Sequence, residues 1–136
     1  MKASHILCAV MMLGAFGNAP VYAKPPGLKN EQTILGGRPP GCPYRFCGCA
    51  MSLRIFGSIK PRLNLSSNWR SFPRTQPASG MVAVRSGHVF QLIRHVEGNT
   101  WVVWDPNNGG GKTRIHHRSL AGYSVVDPHG SSVAAR

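Results

Sequence analysis

Acidic side chains are scarce in this chain. Glu31, Glu97, Asp105 and Asp127 are the four that 136 residues hold, against 16 lysines and arginines, for a net charge of +12 at pH 7. So lopsided a balance disfavours a cationic partner and favours an anionic partner or surface. Long hydrophobic runs are also lacking. The apolar stretch at residues 6–16 is roughly 11 residues, against the ~20 that a membrane-spanning helix needs, which excludes a spanning anchor. No basic stretch interleaved with aromatics occurs, so nucleic-acid binding is disfavoured. No repeat of fixed period is visible, and no second C-x-x-C follows the cysteines, as a zinc ribbon would require.

The short apolar stretch has another use. Lys2 gives a positive start, the run follows, and Val21-Tyr22-Ala23 places apolar or small residues before Lys24-Pro25-Pro26. This is the layout of a secretory signal peptide, with cleavage expected after Ala23 and Cys8 discarded with the peptide. Export to the periplasm or outside the cell follows as an expectation, with no transmembrane segment left. Removing 23 of 136 residues leaves 113, which suits one domain. Residues 24–40, rich in Pro and Gly, read as a flexible lead. Residues 41–128 read as the folded domain, and 129–136 as a disordered tail. With Lys2 gone, 15 basic side chains face the four acids, a net of +11. They are scattered rather than blocked. Behind a signal peptide, such a charge suits a cell wall, an anionic surface or an acidic substrate.

Three cysteines survive processing: Cys42, Cys47 and Cys49. An odd number in an oxidising compartment leaves one thiol reactive, buried or paired to another chain. If Cys47 is that thiol, Cys42 and Cys49 are able to pair. A zinc or redox site built on the Cys42/Cys47/Cys49 cluster with a histidine is the competing reading.

The hydrophobic period changes along the chain. From Cys47, Ala50, Leu53 and Phe56 fall at helical spacing and Gly57 is a stop. Leu65, Trp69 and Phe72 suggest a second short helix over 63–72, closed by Pro73. After Gly80 the pattern turns to strands: residues 81–85, 88–93 and 100–104, with weaker candidates at 113–117 and 123–126. Short helices followed by antiparallel strands define an α+β domain.

A thiolate is the nucleophilic form of cysteine, and a helix N-terminus or a neighbouring imidazolium stabilises it. Cys47 opens the first helix. Gly48 beside it is expected to leave room for a substrate backbone, and a backbone N–H here to help hold an oxyanion. His88, at the head of a strand, is the candidate base. His95, His116, His117 and His129 lie in charged or loop contexts where solvated roles are the default. A base needs a partner to fix its tautomer. If the strands at 88–93 and 100–104 form a hairpin, Asp105 comes near His88. Asp105-Pro106-Asn107-Asn108-Gly109 also reads as plain turn chemistry.

Taken in order, Phe46-Cys47-Gly48-Cys49, Asn64-Leu65-Ser66-Ser67-Asn68-Trp69, Pro77-Ala78-Ser79-Gly80-Met81-Val82, Gly87-His88-Val89 and Trp104-Asp105-Pro106-Asn107 form a familiar series. It resembles the CHAP family, cysteine- and histidine-dependent amidohydrolases and peptidases, over roughly residues 45–108. The resemblance implies a papain-like fold, with short N-terminal helices packed on a small antiparallel sheet. It implies Cys47 as nucleophile, His88 as general base and acid, Asp105 as its orienting group and Asn107 as a further polar group. It also implies cleavage of peptidoglycan amide bonds without a cofactor, on a cell-wall peptide or glycan substrate. Phe90 departs from the family pattern, where a small residue is common, which implies either a narrowed cleft or an altered site. A non-catalytic exported module on the same fold is the alternative. Oligomeric state is not legible from the sequence.

Overall fold

Val82, Val84, Val89, Phe90, Leu92, Trp101 and Val103 alternate along three successive strands and are buried on the two faces of the sheet they form. The computed structural model describes residues 32–130. Six strands are formed: β1 (Thr33–Gly36), β2 (Val82–Arg85), β3 (His88–Glu97), β4 (Thr100–Asp105), β5 (Thr113–Ser119) and β6 (Ser124–Val126). They make one antiparallel sheet in the order β1-β5-β4-β3-β2-β6. Among the described residues one α-helix, α1 (Cys47–Phe56), and two 3₁₀ helices, Pro61–Asn64 and Ser66–Ser71, precede β2. The class is α+β, as expected from the change of period.

The strand register sets the site. Arg85 pairs with His88 across the two-residue Ser86-Gly87 turn, where Gly87 takes a φ of 83°. Gln91 lies opposite Trp104 and Leu92 opposite Val103, so the far end of β4 returns to the start of β3. Beyond it, Val103 faces His116 and Asp105 faces Arg114 on β5. β3 runs four residues further than the sequence pattern suggests, with register shifts between Leu92 and Arg94 and between His95 and Glu97.

Two apolar layers hold the sheet. On one face α1 and the 3₁₀ helices pack Cys47, Met51, Leu63, Trp69 and Phe72 against Val82, Val84, Val89 and Val126. Trp69 is fully buried, donates its indole N–H to the Leu63 carbonyl at 2.9 Å, and lies against Phe56 and Phe72. The other face gathers Ala83, Phe90, Leu92, Trp101, Val103, Leu120 and Val125.

Several expectations need correction. The second helix over 63–72 is two 3₁₀ segments, because Leu65 is extended (φ −80°, ψ 113°) and breaks them apart. Ser66, Ser67 and Asn68 compete for backbone hydrogen bonds and are poor helix formers. The lead at 24–40 is not flexible throughout: its residues 33–36 form the exposed edge strand β1 on β5. The tail at 129–136 starts with an ordered turn, in which the His129 and Gly130 N–H groups bond Asp127. The signal peptide lies outside the described residues.

Gly48 does not make room for a ligand. A Cβ there would sit 2.1 Å from the Leu63 carbonyl oxygen and 2.8 Å from that of Asn64. The first turn of α1 therefore packs backbone to backbone on the Pro61–Asn64 segment. Gly48→Ala is expected to lower the unfolding free energy by about 2–3 kcal/mol through this clash. Urea denaturation measures it, and a variant as stable as the parent contradicts the packing.

Candidate active site

The first turn of α1 has no side chain capping it, and Phe46, its N-cap, is held in a non-helical conformation. Its foremost backbone N–H groups and the positive end of the helix dipole thus surround Cys47. The segment before α1 is tied to it by the Cys42–Cys49 disulfide. This pairing, one of those open in the sequence, leaves Cys47 as the free cysteine among the described residues. It also takes two thiols from the supposed zinc cluster. No group of three or more His, Cys, Asp or Glu side chains suited to a metal occurs among the described residues.

Cys47 is 5% exposed, and its Sγ lies 4.0 Å from the Gly87 carbonyl oxygen, at the turn that introduces His88. The His88 side chain, 12% exposed, stands between Cys47 and Asp105. Its Nε2 is 2.5 Å from Asp105 Oδ1. An ionised carboxylate can only accept, so the ring nitrogen is the donor there. Nδ1 is then the ring nitrogen able to accept a proton. Desolvation of the ring opposes its protonation, but the hydrogen bonds and charges of Asp105 and Cys47 outweigh it and raise the His88 pKa.

Asp105 ends β4 and is wholly buried. While Oδ1 accepts from His88, Oδ2 accepts from Asn108 Nδ2 at 2.5 Å, His116 Nε2 at 2.8 Å and Arg118 Nη1 at 2.6 Å. Burial alone would push its pKa up. The hydrogen bonds of His88 and His116, with the charges of His88 and Arg118, bring it down to about 2 instead. Four donors and one guanidinium charge make a buried carboxylate tolerable; stripped of them it would cost several kcal/mol. The loop after Asp105 is itself fixed. Asn107 adopts a left-handed φ of 55°, and Arg114 Nε and Nη2 donate to the carbonyls of Asn108 and Gly109 at 2.7 and 3.2 Å.

Three of the four sequence-derived site residues, Cys47, His88 and Asp105, thus come together. Asn107 is not a partner of Asp105, whose carboxamide donor is Asn108; it lines the hollow beside His88 instead. Sequence reasoning set aside His116 and missed Arg118. The signal was there in β5, Thr-Arg-Ile-His-His-Arg-Ser, where Arg114, His116 and Arg118 recur at period two on the face that Asp105 shares. Phe90 does not narrow a cleft; it is fully buried, packed on Tyr123 at 4.7 Å beneath the Arg118 guanidinium. His88 also borders a hollow of about 230 Å³, lined by Arg85, Asn107, Asn108 and Arg118 as well.

Comparisons of the chain with protein-family models, with curated proteins and with solved structures found no match.

The Asp105 pKa fixes the sign of one pH effect. A carboxyl at about 2 when folded, against the ordinary 3.8, contributes stability above pH 4 that is lost as the pH falls towards 2. The amount is about 2 kcal/mol. His88 acts oppositely: its raised pKa stabilises the fold below pH 6.5, and that contribution fades as the pH rises through the folded value. Urea titrations at pH 5, 4, 3 and 2 are expected to show the acid loss, and Asp105→Asn to flatten it. Equal slopes in both proteins contradict the assignment.

Proposed function

We propose that this chain is an exported thiol amidase or peptidase, related in plan to the CHAP family and papain-like in architecture, that hydrolyses amide bonds of peptidoglycan. The observation that carries the reading is that the Cys47 sulfur meets the chain at Gly87, next to His88, whose ring bonds the buried Asp105 carboxylate. The disulfide supports export, since such bonds persist in oxidising compartments. The strongly basic surface suits a wall substrate that carries carboxylates.

The chemistry follows from the geometry. Nδ1 of His88 accepts the thiol proton, and the Cys47 sulfur attacks the amide carbonyl carbon. The Cys47 N–H at the start of α1 would help hold the oxyanion that forms. The imidazolium then protonates the leaving amine and the C–N bond breaks, leaving a thioester. Water, deprotonated by His88, attacks that thioester; the carboxylic acid departs and the sulfur regains its proton. Asp105 stays ionised and holds the ring in the Nε2–H form. No cofactor enters this sequence.

One observation favours a second reading. Cys47 is 5% exposed, which suits a non-catalytic module on the same fold, binding wall peptide or glycan without cutting it. Alkylation separates the two. Iodoacetamide is expected to modify Cys47 at pH 7, and His88→Ala to slow this by tenfold or more, on the order expected for loss of a paired base. Cys47→Ala is expected to abolish digestion of purified cell walls while leaving the fold intact by circular dichroism. Undiminished digestion by Cys47→Ala overturns the thiol mechanism. An inert, unlabelled Cys47 with wall binding intact establishes the non-catalytic module.

A further inference from the structure

We infer that the hollow beside His88 receives a carboxylate of the substrate, and that Arg85 is the side chain that selects for it. This rests on the thiol-hydrolase reading and adds to it the charge of the substrate. The hollow of about 230 Å³ is bordered by Arg85, Arg118, Asn107, Asn108 and His88 itself. It therefore adjoins the proposed base rather than lying at a remote surface.

The charges around it do not balance. Asp105, the acid beneath, is fully buried and committed to four donors. Of these, Arg118 spends Nη1 on Asp105 and Nη2 on the Tyr123 hydroxyl, at 2.6 and 2.7 Å. One guanidinium is thereby neutralised and locked. Arg85 is the second. Its guanidinium carbon stands 5.0 Å from the centroid of the same Tyr123 ring, which Arg118 also approaches at 5.5 Å. Stacking on a ring engages the face of a guanidinium and leaves its N–H edge for a ligand.

Both guanidinium groups border the hollow, and the one buried carboxylate compensates Arg118. An anion in the hollow would meet the positive charge of Arg85. Its natural form is a carboxylate, because the planar fork of arginine matches the two oxygens and the flanking carboxamides add donors. A peptide with a free α-carboxylate or an acidic side chain next to the scissile amide meets this description.

A matched pair of thiol reagents tests the inference without the natural substrate. N-iodoacetylglycine carries a carboxylate where N-iodoacetylglycinamide carries a neutral amide. Relative to the ratio shown by free cysteine, Cys47 in the parent protein is expected to prefer the carboxylate reagent by about tenfold at low salt, the effect of one charge-assisted hydrogen bond. Arg85→Gln is expected to bring that ratio close to one while changing the amide reagent's rate by less than about twofold; Arg85→Lys should restore part of it. A preference that Arg85→Gln leaves untouched belongs to the general positive field and overturns the assignment, as does no preference at all.

A second arm does not need the thiol to react. In Cys47→Ala, N-acetylglycine is expected to shift the Arg85 Nε–H and His88 ring resonances, and N-acetylglycinamide to leave them in place. Shifts with an unreactive Cys47 in the parent would sustain the anion site and remove the hydrolase reading. A reactive Cys47 with neither an Arg85-dependent ratio nor shifts would do the reverse.

Discussion

The Asp105 carboxylate is the constraint around which this molecule is arranged. It is buried, ionised and satisfied by four donors from three directions: His88 on β3, Asn108 in the loop that follows it, and His116 and Arg118 on β5. A charge in that place is tolerable while those donors stay put. The β3–β4 and β4–β5 registers and the loop at 107–111 are thereby coupled to a single group. His88 gains most from this coupling. A surface histidine rotates freely and samples both tautomers, whereas this ring is anchored at Nε2 by Asp105.

The sulfur is fixed by different means. Backbone packing at Gly48 seats the first turn of α1 on the Pro61–Asn64 segment, and the Cys42–Cys49 bridge holds the strand of chain that enters it. Cys47 sits between these two restraints, with Met51 and Trp69 in the apolar layer below. Cys47 and His88 are thus carried by separate structural units, a helix and a sheet, that meet at the Ser86-Gly87 turn. On the proposed reading, the two units are pre-positioned before any substrate arrives, which is where much of the catalytic advantage of such an arrangement lies.

Much of this was legible in the residues. The change from helical to alternating period gave the α+β class, and Gly57 and the Ser86-Gly87 and Gly98-Asn99 turns marked where elements end. The hairpin argument brought Asp105 to His88 because turn position and strand length together imply register. What stayed hidden depended on distance in sequence. His116 and Arg118 reach Asp105 from 11 and 13 residues away on a strand that looked weak, since Arg and His at alternate positions resemble a solvated edge. Asn107 and Asn108 are neighbours of the same type, and the left-handed backbone at Asn107, invisible to composition, decides which of them turns inward. Gly48 misled for a related reason: a missing side chain signals close approach, but not what approaches.

The account stands on the orientation of one ring, and nitrogen-15 NMR of the histidine side chains reads that orientation directly. Above its pKa, His88 is expected as the Nε2–H tautomer with a strongly deshielded proton shared with Asp105, and its pKa is expected above the ordinary 6.5. An Nδ1–H tautomer, or the mixed tautomers and ordinary titration of a free imidazole, would contradict it.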